Sequence, residues 1–165
     1  INNKRVRNMK IILEGPDCAG KTTLAEALKK KLTDYLYIHH GLYKHAYGPH
    51  KESLKLTNVI IDRHWPTELI YGTVFRSGPV YNVNQMEEEA RRNDVNTKFI
   101  LCLPPKAKVL ARFEERNNTD ITFEQMGKVY DGYVLLKNMF PYFTIFNYAE
   151  NNTDEFIKKE IYEQK

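Results

Sequence analysis

The chain has 165 residues, 42% of them hydrophobic and 28% charged. That suits one ordinary domain, 1–165, with a core of its own, and no apolar run approaches the ~18 residues that a membrane span needs. The net charge is +4, with Lys and Arg scattered and Glu87, Glu88 and Glu89 offsetting them locally; a small polyanion such as a nucleotide is the expected partner, not nucleic acid.

In chain order, the first eight residues are basic with no apolar stretch behind them, so they do not read as a secretory signal. The chain opens on Ile, not Met, so its natural start can lie further upstream. Residues 9–13 read as a buried strand. Residues 15–22, Gly-Pro-Asp-Cys-Ala-Gly-Lys-Thr, complete the phosphate-loop pattern G-x-x-x-x-G-K-[ST]. An amphipathic helix pattern over 21–32 follows, and this strand–loop–helix context gives the motif its physical meaning. Gly15, Cys18, Ala19, Gly20, Lys21, Thr22 and Thr23 are the candidate phosphate-binding set. Backbone N–H groups and the helix N-terminus hold anionic oxygens, and Lys21 adds charge.

Further apolar runs at 35–39, 59–61, 99–103 and 142–146 predict strands buried on both faces. Helical patterns fall at 66–76, 84–93, 106–116 and 123–138. A last helix runs from Thr153, as N-cap, to about residue 162. The alternation predicts an α/β fold: a parallel sheet covered by helices on both faces. Residues 41–50, rich in Tyr and His, read as irregular, as do 76–81 with Gly78-Pro79 and the polar break 117–122. Ligands bind beyond the carboxyl ends of such strands. The first three strands deliver residues 15–21, 40–50 and Asp62-Arg63 to that edge.

Asp62 ends a buried run and can reach the water shell of Mg²⁺, to which Thr22 offers a hydroxyl. Arg63 can grip a phosphate with two parallel hydrogen bonds, which Lys cannot. Arg112 and Arg116 lie four residues apart on one helix face. Alone they read as a solvated face beside Glu114 and Glu115; beside a phosphate loop they read as a short basic lid, about 112–122. Asp17 repels phosphate and suits a sugar hydroxyl on a second ligand. Cys18 and Cys102 form no disulfide framework, which points to a reducing, cytoplasmic setting. No cysteine pair accompanies the five histidines, so a structural zinc site is not expected.

The segment Glu14-Gly15-Pro16-Asp17-Cys18-Ala19-Gly20-Lys21-Thr22-Thr23 resembles the opening of thymidylate kinases, commonly E-G-x-[DE]-x-x-G-K-[ST]-T. Asp62-Arg63-His64 with Thr67 and Tyr71 resembles that family's D-R-Y-x-x-S-x-x-A-Y-Q-G segment. Residues 110–116 resemble the start of its lid, and the likeness continues into the Tyr130 to Tyr133 region. The resemblance implies a P-loop kinase with a five-stranded parallel sheet in the order 2-3-1-4-5. It implies ATP as donor with Mg²⁺, and a deoxynucleoside monophosphate as acceptor. It implies that Asp17 contacts the acceptor sugar and Arg63 its phosphate. Because Cys18 stands where some members carry a catalytic arginine, the lid supplies it, Arg116 first and Arg112 second. Catalysis then rests on Lys21, Asp62, Arg63, Arg112 and Arg116. Tyr71 and Phe75 are the acceptor-base candidates, ahead of Tyr43 and Tyr47. Arg76 reaches either the base edge or the acceptor phosphate.

The chain departs from the family at His64 and at Gly72, where the family has Gln, and is compressed over 32–58. Gly72 is read as space for a larger base. The expected acceptors are dTMP or a modified dUMP first and dGMP second. Two alternatives stand beside this reading. One is a deoxynucleoside kinase acting on a 5′-hydroxyl with Asp17 or Asp62 as base; the other is a non-catalytic nucleotide-binding module. A homodimer remains open.

Overall fold

In the computed structural model, which describes residues 8–92 and 96–163, the run Met-Lys-Ile-Ile-Leu-Glu forms strand β1 (Met9–Glu14), with all six residues buried. Burial on both faces calls for layers on both sides, and the chain supplies them by alternation. After β1 come α1 (Lys21–Lys31), β2 (Leu36–His39), α2 (Tyr47–Leu54), β3 (Val59–Asp62), α3 (Trp65–Phe75) and α4 (Val83–Arg91). Then follow β4 (Asn96–Cys102), α5 (Lys106–Glu115), α6 (Phe123–Met139), β5 (Thr144–Phe146) and α7 (Thr153–Ile157), the last running on into a π-helical turn over Lys158–Tyr162.

The sheet has five strands in the order β2-β3-β1-β4-β5, and every neighbouring pair is parallel. β1 therefore lies at the centre, with β3 on one side and β4 on the other. α1 packs with α7, while α3 packs with α4 and α6, and α6 with α5. The core runs through Ile11, Leu13, Leu24, Ile60, Trp65, Leu101, Tyr133 and Phe146. Lys10 on β1 is buried as well, its ammonium donating to the Leu54 carbonyl; burial lowers its pKa to about 8.

Several expectations need correction. β2 is an edge strand and is partly exposed, not buried on both faces; Tyr37 and Ile38 pack against the core, while Leu36 faces solvent. Residues 47–54, expected to begin in an irregular stretch, form α2. Gly48-Pro49 hid it: Pro is tolerated in a first helical turn, where its missing N–H has no intrahelical partner to lose. The N-cap of α7 is Asn152, whose side chain accepts from Glu155 N, and not Thr153. The polar break before α6 ends in a capping box of Thr122 and Gln125. The expected end of the helical pattern over 84–93, Asn93, lies outside the described residues.

Candidate nucleotide-binding site

The loop after β1 runs close under the end of β4. A Cβ on Gly15 would stand 2.5 Å from the Cys102 carbonyl oxygen, and Gly15 has φ +150°, so only glycine fits. Gly20 turns the chain into α1 with φ +82°. Cys18 adopts φ 65° and Arg63 φ 74°, a left-handed conformation that costs a side-chain-bearing residue about 1–2 kcal/mol. Such strain persists where the surroundings fix it, and both residues belong to one cavity. That cavity, about 110 Å³, is lined by the whole loop from Pro16 to Thr23 together with Arg63, Arg112 and Arg116. The fold thus brings the phosphate-loop motif, the strand-end arginine and the two arginines at the end of α5 together.

Lys21 donates to Asp62 Oδ1 at 2.6 Å. Tyr37 Oη donates to the other carboxylate oxygen at 2.5 Å, and His39 Nδ1 lies 3.2 Å from it. Burial alone would push the Asp62 carboxyl up; Lys21 and these donors more than reverse this and hold it below its usual range. Asp62 is a fixed anion with both oxygens engaged.

Arg63 Nη2 donates to Asp17 Oδ1 at 2.6 Å, and Nη1 reaches Gly15 O at 3.4 Å and Thr67 Oγ1 at 3.3 Å. Beneath lies Glu14, wholly buried. It accepts from His64 N at 2.6 Å, from Thr67 Oγ1 at 2.9 Å and from Tyr133 Oη at 2.8 Å. Burial raises its pKa against the pull of Arg63 and these donors. Glu14 thereby ties β1, α3 and α6 together behind the loop.

Tyr71 is buried and committed inside the protein. Its hydroxyl accepts from Asp17 N at 3.0 Å, Arg63 lies over its ring at 5.0 Å, and Phe75 stacks on it at 5.8 Å. Phe75 is half-buried. Arg76 donates to the buried Glu68 carboxylate and, at 3.1 Å, to Tyr43 O; it closes α3 onto the loop after β2 and does not line the phosphate-loop cavity. Gly72 is corrected: a Cβ there would stand 2.9 Å from the Gly78 carbonyl oxygen. The glycine admits the 76–81 turn, whose backbone fills the room expected for a larger base. Behind this wall His40, His50 and His64 pack together, with ring centroids 4.6 Å and 4.7 Å from His50. Burial lowers their pKa values to about 4, 2 and 3. Among the described residues no group of three or more His, Cys, Asp or Glu is arranged to hold a metal ion.

No family model matches the chain, and no curated protein matches it. Solved structures do. YorR from Bacillus subtilis, in complex with phosphorylated GDP, is 23% identical with a TM-score of 0.77, over 93% of this chain and 94% of that one. A deoxyadenosine kinase from M. mycoides with bound dCTP is 17% identical with a TM-score of 0.67, over 94% and 100%. A thymidylate kinase from Candida albicans is 15% identical with a TM-score of 0.58, over 93% and 92%. The chain has the P-loop kinase fold. Its sheet order is the one implied by the thymidylate kinase resemblance.

The sequence reading missed Tyr37, His39 and Tyr148. Tyr37 and His39 are signalled by strand position, as alternate residues on the edge strand beside Asp62. Tyr148 follows β5 at the ligand-binding edge of the sheet. Its ring lies against Gly20 and under Arg112.

Proposed function

We propose that this chain transfers the terminal phosphoryl group of ATP to a deoxynucleoside 5′-monophosphate. The observation that carries the reading is one small cavity in which four cations, Lys21, Arg63, Arg112 and Arg116, meet the phosphate loop. Phosphoryl transfer asks for positioning and charge stabilisation more than covalent chemistry. The donor's phosphates lie on the backbone N–H groups of residues 15–23 and the N-terminus of α1, with Lys21 beside the moving group. Arg63 turns from Asp17 to hold the acceptor phosphate, leaving Asp17 free for the acceptor sugar. The lid, about 112–122, brings Arg112 and Arg116 against charge that develops in the transition state.

The residues fit Mg²⁺, which takes few protein ligands beside phosphates and water: Thr22 supplies a hydroxyl, and Asp62 a fixed anion. Bound there, the ion would neutralise charge on the donor's phosphates.

The monophosphate reading is favoured over the nucleoside one by the carboxylates. A 5′-hydroxyl needs a general base near its proton. Asp62 is saturated and its basicity lowered, Asp17 is paired with Arg63, and Glu14 is sealed under the loop. A phosphate acceptor is already an anion and needs cations instead. Tyr71 supports Arg63, leaving Phe75 as the aromatic candidate for the base. With Gly72 filled, dTMP or a modified dUMP ranks first through the resemblance. dGMP ranks second, in keeping with the guanine nucleotide held by YorR. The soluble cytoplasmic role follows from the same reading. For a homodimer, the α3–α6 groove with Leu135 and Met139 exposed beside it is a candidate face.

A coupled ADP-release assay over the four deoxynucleoside monophosphates and the corresponding nucleosides tests this. Turnover is expected with a monophosphate. Turnover with nucleosides alone would transfer the chain to the alternative reaction, and ATP binding without any turnover would make it a binding module.

A further inference from the structure

The Lys21 ammonium already has an anion. It donates to Asp62 Oδ1 at 2.6 Å, and the Lys21 and Asp62 side chains are only 8% and 3% exposed. A phosphate on the loop and the Asp62 carboxylate therefore compete for one cation. Drawing Lys21 away leaves a buried carboxylate without its counter-ion, and an uncompensated buried charge is strongly unfavourable. Release of the lysine needs a second source of hydrogen bonds for Asp62.

The edge strand supplies it. In the parallel pairing of β2 with β3, His39 stands opposite Asp62 and Tyr37 opposite Ile60. Side chains alternate between the faces of a strand, so Tyr37 and His39 share the face on which Asp62 lies. Tyr37 Oη donates to Asp62 Oδ2 at 2.5 Å, the oxygen that Lys21 does not use, and His39 Nδ1 lies 3.2 Å from the same oxygen. The Tyr37 ring packs against the core, and Lys29 lies over it at 4.7 Å. The phenol is thus held in place by packing, independently of Lys21.

Donors on one carboxylate share its charge. While Lys21 is in place, it takes part of the charge that Tyr37 would otherwise meet. Once Lys21 leaves, the Tyr37 hydroxyl faces a more strongly charged acceptor in a water-poor site, and its hydrogen bond strengthens. The Tyr37 contact is therefore worth more with phosphates on the loop than without them. A contact that differs between two states shifts the equilibrium between them by that difference, and here the difference appears as donor affinity.

We propose that Tyr37, with His39 beside it, is a positioning residue for the donor: it holds Asp62 when Lys21 leaves, and so lets the lysine pass from the carboxylate to the donor's phosphates. This rests on the donor reading given above. It acts through Asp62 and touches neither nucleotide. It also gives a reason for polar groups at these two positions of an edge strand, since packing of the sheet margin alone would be served as well by a phenylalanine at residue 37.

Equilibrium binding of tripolyphosphate in EDTA, which reads the lysine without a metal ion, tests the inference on the full chain. Tyr37→Phe keeps the ring and removes only the hydroxyl. It is expected to weaken tripolyphosphate by roughly 3- to 12-fold, about half the strength of a hydrogen bond to a charged group, and to change dTMP by less than twofold. In an Asp62→Asn background, where Lys21 leaves no buried charge behind, the same substitution is expected to change tripolyphosphate by less than twofold. Unchanged tripolyphosphate affinity in Tyr37→Phe overturns the inference. An equal loss in the Asp62→Asn background, or an equal loss of dTMP, would make Tyr37 a prop for the sheet edge and overturns it too; each of these results leaves the donor reading standing. A parent protein that does not bind tripolyphosphate would remove the donor reading along with the inference.

Discussion

Lys21 and Arg63 are each held by a carboxylate within the site, Asp62 and Asp17, and this makes their roles separable. Lys21→Ala removes one preorganised charge beside the moving phosphoryl group. Its kcat is expected to fall roughly a hundredfold or more, with circular dichroism unchanged. Near-normal turnover in a folded variant would remove the phosphate loop from the chemistry. In the proposed transfer Arg63 releases Asp17 and grips a phosphate with two donors. Arg63→Lys keeps the charge and loses the fork, so KM for the monophosphate is expected to rise by about tenfold while KM for ATP changes little. Initial-rate kinetics with each substrate varied in turn would reveal equal effects, and equal effects would move Arg63 off the acceptor. At this scale the sequence was informative about residue type. Lysine and arginine were placed by motif, and both lie at the cavity. It was silent on Tyr37, His39 and Glu14 as partners, because their contacts join residues 23 to 119 positions apart.

Helix α3 carries the acceptor side in the proposed reaction, and its packing depends on two glycine contacts. The turn after α3 folds back so that Gly78 N donates to Gly72 O at 3.2 Å, and the Gly78 carbonyl oxygen fills the Cβ position of Gly72. Gly72→Ala pits a methyl group against backbone that has no rotamer to change. It is expected to destabilise the protein by about 1–3 kcal/mol, read as a lower urea midpoint, and to raise KM for the acceptor. At the α3–α6 contact a Cβ on Gly132 would stand 2.8 Å from Ile70 Cγ2, a side-chain atom that can swing away. Gly132→Ala is accordingly expected to be milder than Gly72→Ala; the reverse order of midpoints would refute the backbone argument. The sequence showed a missing side chain at Gly72 and suggested space. The space is taken by a segment that sequence spacing did not bring to mind, since a turn that doubles back leaves no periodic signal.

Across the molecule, the buried bases set the response to pH. His40, His50 and His64 have folded-state pKa values of about 4, 2 and 3, pushed down first of all by burial; unfolded histidine titrates near 6.5. As pH falls below ~6.5 the unfolded chain takes up protons that the folded protein refuses, so stability is full above that value and declines below it. Each histidine contributes a slope of ~1.4 kcal/mol per pH unit, so the three together reach ~4 kcal/mol per unit between about pH 6 and pH 4. Glu14 works in the opposite sense, because its raised pKa lets the folded protein accept a proton first. The net expectation is a steep loss of stability on acidification, measured as urea midpoints between pH 8 and pH 4.5. His50→Phe is expected to flatten the slope by about one histidine's share, and an unchanged slope would take His50 out of the cluster. Lys10 adds a second window. Its folded pKa of about 8 lies below the unfolded ~10.4, so its share of stability is complete above pH 10.4 and declines as pH falls to 8.

What the sequence determined by itself was the fold class and the position of the candidate phosphate loop. Apolar runs separated by helical periodicity leave few topologies once strands must be parallel and buried, and a phosphate loop is a local device whose function lies in consecutive backbone N–H groups. The tertiary structure alone decided what surrounds it. It put β2 at an exposed edge, made a helix of Tyr47–Leu54, gathered three histidines that lie up to 24 positions apart, and set Tyr148 against Gly20 across 128 positions. Such contacts depend on how layers pack and where turns double back, which follow from the summed burial of the whole chain and leave no mark at the residues concerned.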